Sequence, residues 1–413
     1  MGYICNMNYI EDYQLLKQFF DRNEAVTEMP GGLFSIHRLK FESANYHKLP
    51  GEERYEDNGE VFSRTPDYQN AISPEINELL NLEDSKVSEN KRFTYTIFKP
   101  NNSAKAQDVI ILLHGLNEKT WHKYLPWAKR LMEITGKTIV LFPIAFHMNR
   151  APSAWSDFRL MNDLRYVREG LFPAISGSSF ANIAMSTRLH ILPQRFFWSG
   201  VQTFQDILQL INEAKSGKHP LINQKAGFDF FAYSIGAFLT EVLMMSNPEG
   251  MFNHSKLFMF AGGAVFNRMS PVHKTILDSE ANIALYSFFL EHFDSYLKVD
   301  KRLAHYFSPK HPEGLVFRSM LDYHKLRELR EEKLRAISGR IASIALKKDK
   351  VVSCYEVQNT LNGADRDIPV EVKVVDPPYN YSHENPFPLK EKIKEEVNKA
   401  FDEIFEIAGE FLK

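Results

Sequence analysis

The chain has 413 residues, 44% of them hydrophobic and 25% charged, with 50 Lys plus Arg against 52 Asp plus Glu. This is the balance of a soluble globular protein with material for a large core. No segment is strongly basic, which argues against nucleic acid or an anionic membrane surface as partner.

The two cysteines, Cys5 and Cys354, make neither a disulfide framework nor a C-x-x-C motif. No apolar run reaches the roughly 18 residues of a membrane helix. No basic stretch followed by an apolar run opens the chain. A cytoplasmic protein without a transmembrane segment is expected.

Residues 1–91 are polar and punctuated, with an amphipathic helix at 11–22, room for a strand within 31–43, and charged, Pro- and Gly-bearing chain over 49–90. They read as an N-terminal extension packed on the main domain. The rhythm changes at residue 92. RFTYTIFKP (92–100) alternates as a strand does, DVIILLHG (108–115) is an apolar run ending in Gly, and residues 121–136 have helical spacing with a Gly stop. A strand follows at 137–145, a helix at 204–217, a strand at 227–234, a helix at 235–246, and strands at 256–263, 340–349 and 370–376. A long helix over 389–413 ends the chain. Unbroken apolar strands alternating with helices predict an α/β domain over 92–413, with a mostly parallel sheet covered on both faces. Two insertions interrupt it, 146–203 and 264–338, in the position of a cap or lid.

The central chemical signal is Ala232-Tyr233-Ser234-Ile235-Gly236. It matches a nucleophile elbow, in which a serine on a sharp strand-to-helix turn needs small residues two before and two after it. The pattern alone is weak, and Gly177-Ser178-Ser179-Phe180-Ala181 also satisfies it. Only Ser234 has an apolar strand before it and an apolar helix after it.

The second signal is His114-Gly115-Leu116-Asn117 after the run VIILL. With the elbow, this resembles the α/β-hydrolase superfamily, over roughly residues 92–413. The resemblance implies a cofactor-free serine hydrolase whose oxyanion hole uses the backbone N–H of Leu116 and of Ile235. It assigns the His114 side chain no catalytic role. Ala at the first elbow position and the size of both insertions depart from the family pattern, and the insertions leave the substrate open.

A serine nucleophile needs a base, and the base an orienting acid, in the order Ser, acid, His. Asp349 follows the strand IASIALKKD and resembles the family's acid loop; Asp365, Asp367 and Asp376 compete, and Asp349 could instead only cap the next helix. His383 follows the last strand and is the one histidine after His324. The expected catalytic set is therefore Ser234, Asp349 and His383.

There is no H-E-x-x-H, no P-loop and no G-x-G-x-x-G, and the 14 histidines are scattered, so no metal or cofactor site is expected. Arg150, Trp155 and Asp157 follow a strand whose end faces the catalytic edge. They could line a pocket or build a structural loop around a buried Trp. The aromatic run IALYSFFLEHFDSYL could cover an apolar acyl pocket or form the core of the cap. The activity expected is hydrolysis of a small-molecule acyl ester. A peptidase or thioesterase with the same residues, and a non-catalytic binding protein on the same fold, stay open, as does oligomeric state.

Overall fold

The computed structural model describes residues 8–50, 54–62 and 83–413. Cys5 and much of the irregular stretch expected over 49–90 lie outside the described residues.

The sheet begins upstream of residue 92. After helix α1 (Tyr9–Phe20), β1 (Val26–Glu28) and β2 (Phe34–Glu42) form an antiparallel pair. A separate small hairpin, β3 (Tyr55–Asp57) and β4 (Glu60–Phe62), follows. Then come β5 (Arg92–Pro100), β6 (Ala106–Leu113), helix α2 (Leu125–Thr135) and β7 (Thr138–Leu141). The first insertion holds α3 (Phe158–Leu171) and α4 (Ile183–Ile191), and runs into α5 (Arg195–Lys215). Next are β8 (Ile222–Tyr233), α6 (Ile235–Ser246) and β9 (Leu257–Phe260). The second insertion contributes α7 (Ser279–Tyr286), α8 (Phe293–Val299), α9 (Lys301–His305), α10 (Pro312–Ser319) and α11 (Arg327–Ile337). The chain closes with β10 (Ile341–Leu346), α12 (Cys354–Leu361), β11 (Glu371–Val375) and α13 (Lys394–Leu412).

The nine-stranded sheet has the order β1-β2-β5-β7-β6-β8-β9-β10-β11. β5 runs antiparallel to β2 and β7, and from β7 to β11 every pair is parallel. Alternation along β6 explains how one strand serves two layers. Val109, Ile111 and Leu113 enter one core with α5, α6 and the insertions, while Ile110 and Leu112 enter the other with α1, α2 and α13. α2 begins with Pro126 in its first turn and ends at Gly136, whose φ of 70° closes the helix in the left-handed conformation. From β2 to β11 this strand order, with β5 alone antiparallel to the other strands, is the α/β-hydrolase fold.

The topology places the site. The chain leaves β6 toward β7 on one side and returns to β8 on the other, so the carboxyl ends of β6 and β8 flank the point where strand order reverses. In open α/β sheets that crevice is where ligands bind. His114 and Ser234 are the first residues past those two strand ends.

The long helix before β8 begins at Arg195, nine residues earlier than its expected start at 204, because Phe197, Trp198 and Val201 continue the apolar stripe. The two insertions are joined by a buried bidentate ion pair, Arg168 Nε and Nη2 to the two Asp278 carboxylate oxygens at 2.8 and 2.9 Å. No helix among the described residues is long and apolar enough to cross a membrane.

Candidate active site

Ser234 separates β8 from α6 with φ 56° and ψ −120°. A non-glycine residue at such angles costs on the order of 1–3 kcal/mol, and it persists only where the surroundings hold it. Here the surroundings are glycines. A Cβ on Gly236 would lie 2.8 Å from the Leu113 carbonyl oxygen and 2.9 Å from that of His114. A Cβ on Gly262 would lie 2.4 Å from Ala237 Cβ and 3.1 Å from the Ser234 carbonyl oxygen. The end of β6, the elbow and the end of β9 pass so closely that side chains at these two points are excluded.

The structure brings Ser234, His383 and Asp349 into one hydrogen-bonded chain. Ser234 Oγ is 2.7 Å from His383 Nε2, and His383 Nδ1 is 2.6 Å from Asp349 Oδ2. All three residues are buried. Nδ1 donates to the carboxylate, so Nε2 of the neutral ring is left to accept the serine proton. The second Asp349 oxygen accepts the backbone N–H groups of Val351 and Val352 at 2.8 and 2.9 Å. The turn-capping role and the contact with His383 thus use different oxygens of one carboxylate, and each fixes the other. Of the competing acids, Asp367 pairs with Arg335, Asp376 with Lys347 and Lys348, and Asp365 is exposed.

Leu116 and Ile235 both line an apolar cavity, and Leu116 also lines the cleft that holds Ser234. Ile235 is the first residue of α6, so its N–H has no partner within the helix, and the helix dipole adds positive potential there. The loop carrying Leu116 is held on both sides. His114 Nε2 accepts the Ile144 N–H at 3.0 Å and its Nδ1 donates to the Gly115 carbonyl at 2.8 Å. Burial pushes the His114 pKa down to about 3, which keeps the ring neutral for that pairing. The Gly115 N–H donates to the Tyr124 hydroxyl at 3.0 Å, which donates to Glu118 at 2.9 Å. Asn117, at φ 61°, ties the loop to both insertions through the Ala181 and Thr275 carbonyls at 3.0 and 2.8 Å.

Two cavities meet at Leu116. One is a polar cleft lined by Asn117, Glu118, Lys123, Thr275, Ser234 and His383. The other is apolar, walled by Ile144, Met185, Leu189, Phe196, Phe197, Phe204, Ile235, Phe238, Leu239, Val242 and Phe317, with Arg188, His147, Ser199 and Glu313 as its polar members. The aromatics of this cavity come from α5, α6 and α10. In the run IALYSFFLEHF, Phe288, Phe289 and Phe293 pack on one another with ring centroids 4.8–5.9 Å apart and form the core of the cap.

Arg150, Trp155 and Asp157 are structural and do not line either cavity. Arg150 is buried against Asp206 at 2.8 Å, Trp155 packs on Phe146, and Asp157 caps α3 by accepting from the N–H groups of Arg159 and Leu160. Ser179 of the second elbow-like pentapeptide lies in a loop, where its hydroxyl donates to the Lys274 carbonyl. Sequence reasoning missed Tyr233. Its ring stacks on His383 at 5.4 Å, and its hydroxyl donates to the His383 carbonyl. The signal was an aromatic at the elbow position next to the serine, which apolar patterning reads only as core.

The model of a family described as a family of unknown function (DUF6051) matches residues 7–413, and the chain belongs to that family. No curated protein shows significant similarity to it. Solved structures with a similar fold include a carboxyl esterase 2 from the mycorrhizal fungus Tuber melanosporum, at 11% identity over 78% of this chain and 82% of that one, with a TM-score of 0.43. A thermostable esterase from Pseudomonas putida is similar at 10% identity over 98% of this chain and 91% of that one, with a TM-score of 0.40. The esterase Est22 is similar at 10% identity over 93% and 82%, with a TM-score of 0.43.

Proposed function

We propose that this DUF6051 member is a serine hydrolase that cleaves carboxylic esters with an apolar acyl group. The observation that carries this reading is the chain from Ser234 Oγ to His383 Nε2 and from His383 Nδ1 to Asp349, at 2.7 and 2.6 Å, on a serine in elbow conformation. Ser234 Oγ attacks the acyl carbon while His383 Nε2 takes its proton. The oxyanion of the tetrahedral intermediate accepts the N–H groups of Leu116 and Ile235. Asp349 holds the imidazole in the required tautomer and stabilises its cation. His383 then protonates the departing alcohol, leaving an acyl-Ser234. A water deprotonated by His383 attacks that acyl carbon, and collapse releases the acid and restores the serine.

The apolar cavity supports the choice of substrate class. Leu116 and Ile235 line it, and Leu116 also lines the cleft that holds Ser234, so an acyl chain seated beside them would carry its carbonyl to the serine while the alcohol faces the polar cleft. The test is turnover of p-nitrophenyl esters of graded acyl length, with mass spectrometry of the quenched enzyme. Turnover that rises with acyl length and a mass increment on the Ser234 peptide are expected. Hydrolysis that persists in Ser234→Ala overturns the assignment.

A further inference from the structure

Away from Ser234, three side chains far apart in sequence converge. Asp57 ends β3, His305 ends α9, and His311 immediately precedes α10. His305 Nε2 lies 3.0 Å from Asp57 Oδ2, His311 Nε2 lies 2.9 Å from the same oxygen, and the two Nε2 atoms are 3.1 Å apart. Both imidazoles are buried. The three atoms form a nearly equilateral triangle.

Hydrogen bonding accounts poorly for this triangle. With sides of 3.0, 2.9 and 3.1 Å, two N–H groups would have to enter one carboxylate oxygen about 60° apart, facing each other. The Asn58 side-chain amide stands 3.2 Å from His311 Nε2. A cation resolves the conflict, because it accepts lone pairs from all three atoms at once. A tetrahedral ion with N and O ligands at about 2.0–2.1 Å separates neighbouring ligand atoms by roughly 3.3 Å, close to the triangle observed. Lys48 Nζ pairs with the other Asp57 oxygen at 3.3 Å, which leaves Oδ2 to the two histidines. His311 Nδ1 is 2.8 Å from Glu313 Oε1, the carboxylate–histidine arrangement that orients a ligating ring. Exchanging the amide O and N of Asn58, 3.2 Å from His311 Nε2, puts an oxygen beside the triangle.

We propose that Asp57, His305 and His311 bind a divalent transition-metal ion of the zinc type, which staples the β3–β4 hairpin to the second insertion. Two imidazoles and a carboxylate, with no thiolate, suit zinc and exclude the all-oxygen preference of calcium or magnesium. The hairpin already docks there through Arg302 Nε to the Tyr55 hydroxyl at 2.9 Å and Lys310 Nζ to the Asn58 carbonyl at 3.0 Å. Glu313 connects the two sites, since it also lines the apolar cavity beside Ser234. The ion therefore braces one wall of that cavity from behind. The proposal does not depend on the hydrolase reading, because metal content is measured without any substrate.

The test uses the full chain made without a polyhistidine tag. Elemental analysis after dialysis against zinc, then against buffer, is expected to give about one zinc per chain. His305→Ala, His311→Ala and Asp57→Asn are each expected to lose at least about 100-fold in zinc affinity, Glu313→Gln about 10- to 100-fold, and exposed His254→Ala nothing. Should the ligand variants fold poorly, X-ray absorption at the zinc edge of the native protein decides: two imidazoles and only N/O neighbours support the site. Failure of the chelator-treated native protein to rebind zinc, zinc retained in both histidine variants, or a sulfur neighbour overturns it.

Discussion

Tyr233 stacks on His383, with ring centroids 5.4 Å apart and planes 19° from parallel, and its hydroxyl donates to the His383 carbonyl. The residue before Ser234 thus clamps both the ring and the backbone of His383. His383 is on a loop after the last strand, and this clamp gives it the fixed position that the strand ends give Ser234. Tyr233→Phe keeps the stack and removes a buried hydrogen bond worth about 1 kcal/mol. A fall in kcat of several-fold with KM little changed is expected on a p-nitrophenyl ester. An equal loss in KM alone would assign Tyr233 to substrate binding.

Asp349→Asn retains one oxygen for the N–H groups of Val351 and Val352, so the turn persists. The amide facing His383 Nδ1 can impose the wrong tautomer, which in a Ser-His-Asp system costs about 10⁴ in kcat. Circular dichroism is expected to show a native fold beside that loss. Native-like turnover would return Asp349 to a purely capping role.

Gly236→Ala would place a Cβ 2.8 and 2.9 Å from two backbone oxygens, and backbone cannot give way as a side chain can. Overpacking in a core typically costs 1–3 kcal/mol, occasionally more. A lower melting temperature together with loss of turnover is expected, and unchanged stability would contradict the tight crossing of β6 under the elbow.

Arg150 and Asp206 form a fully buried ion pair at 2.8 Å, with Arg150 also donating to Asn90 and Pro143 and Asp206 accepting from Ser43 and Asn45. Removing one partner of such a pair leaves a buried charge and costs about 3–5 kcal/mol. Arg150→Ala should show this in chemical denaturation, and replacing both partners with apolar residues should cost less.

Glu241, buried in α6, has its pKa pushed up from 4.5 to about 8, by burial and against the pull of Arg330. The folded state then holds a proton that the unfolded state releases, so stability falls as pH rises from about 4.5 through about 8. Glu241→Gln removes this slope. The melting temperature of the variant relative to native should rise between pH 5 and pH 8, and a constant difference would contradict the raised pKa.

The parts of this architecture carried by local pattern were legible in the sequence. Apolar runs marked β6 to β10, and the elbow marked Ser234 because its small neighbours and its strand–helix context are contiguous. His383 was found by its place after the last strand. Long-range geometry was not legible. Nothing in Phe34–Glu42 says that it joins the sheet beside β5, and the aromatic run of the second insertion reads as the core of the cap before it reads as a pocket wall. The histidine pair six residues apart joins Asp57 only through folding, with some 250 residues between them. Arg150 and Trp155 follow a strand end and could be read as pocket or as loop structure, and the Arg150–Asp206 pair and the Trp155–Phe146 packing are those of a structural loop.

The central claim is that Ser234 is a nucleophile activated by His383. Labelling of the full chain with a fluorophosphonate probe tests it most directly, since the reaction forms a bond from the serine oxygen to phosphorus and releases fluoride. Labelling of the native protein that is lost in both Ser234→Ala and His383→Ala is the result the account predicts. Labelling that survives in Ser234→Ala, or a native protein that the probe does not modify at neutral to mildly basic pH, would contradict it.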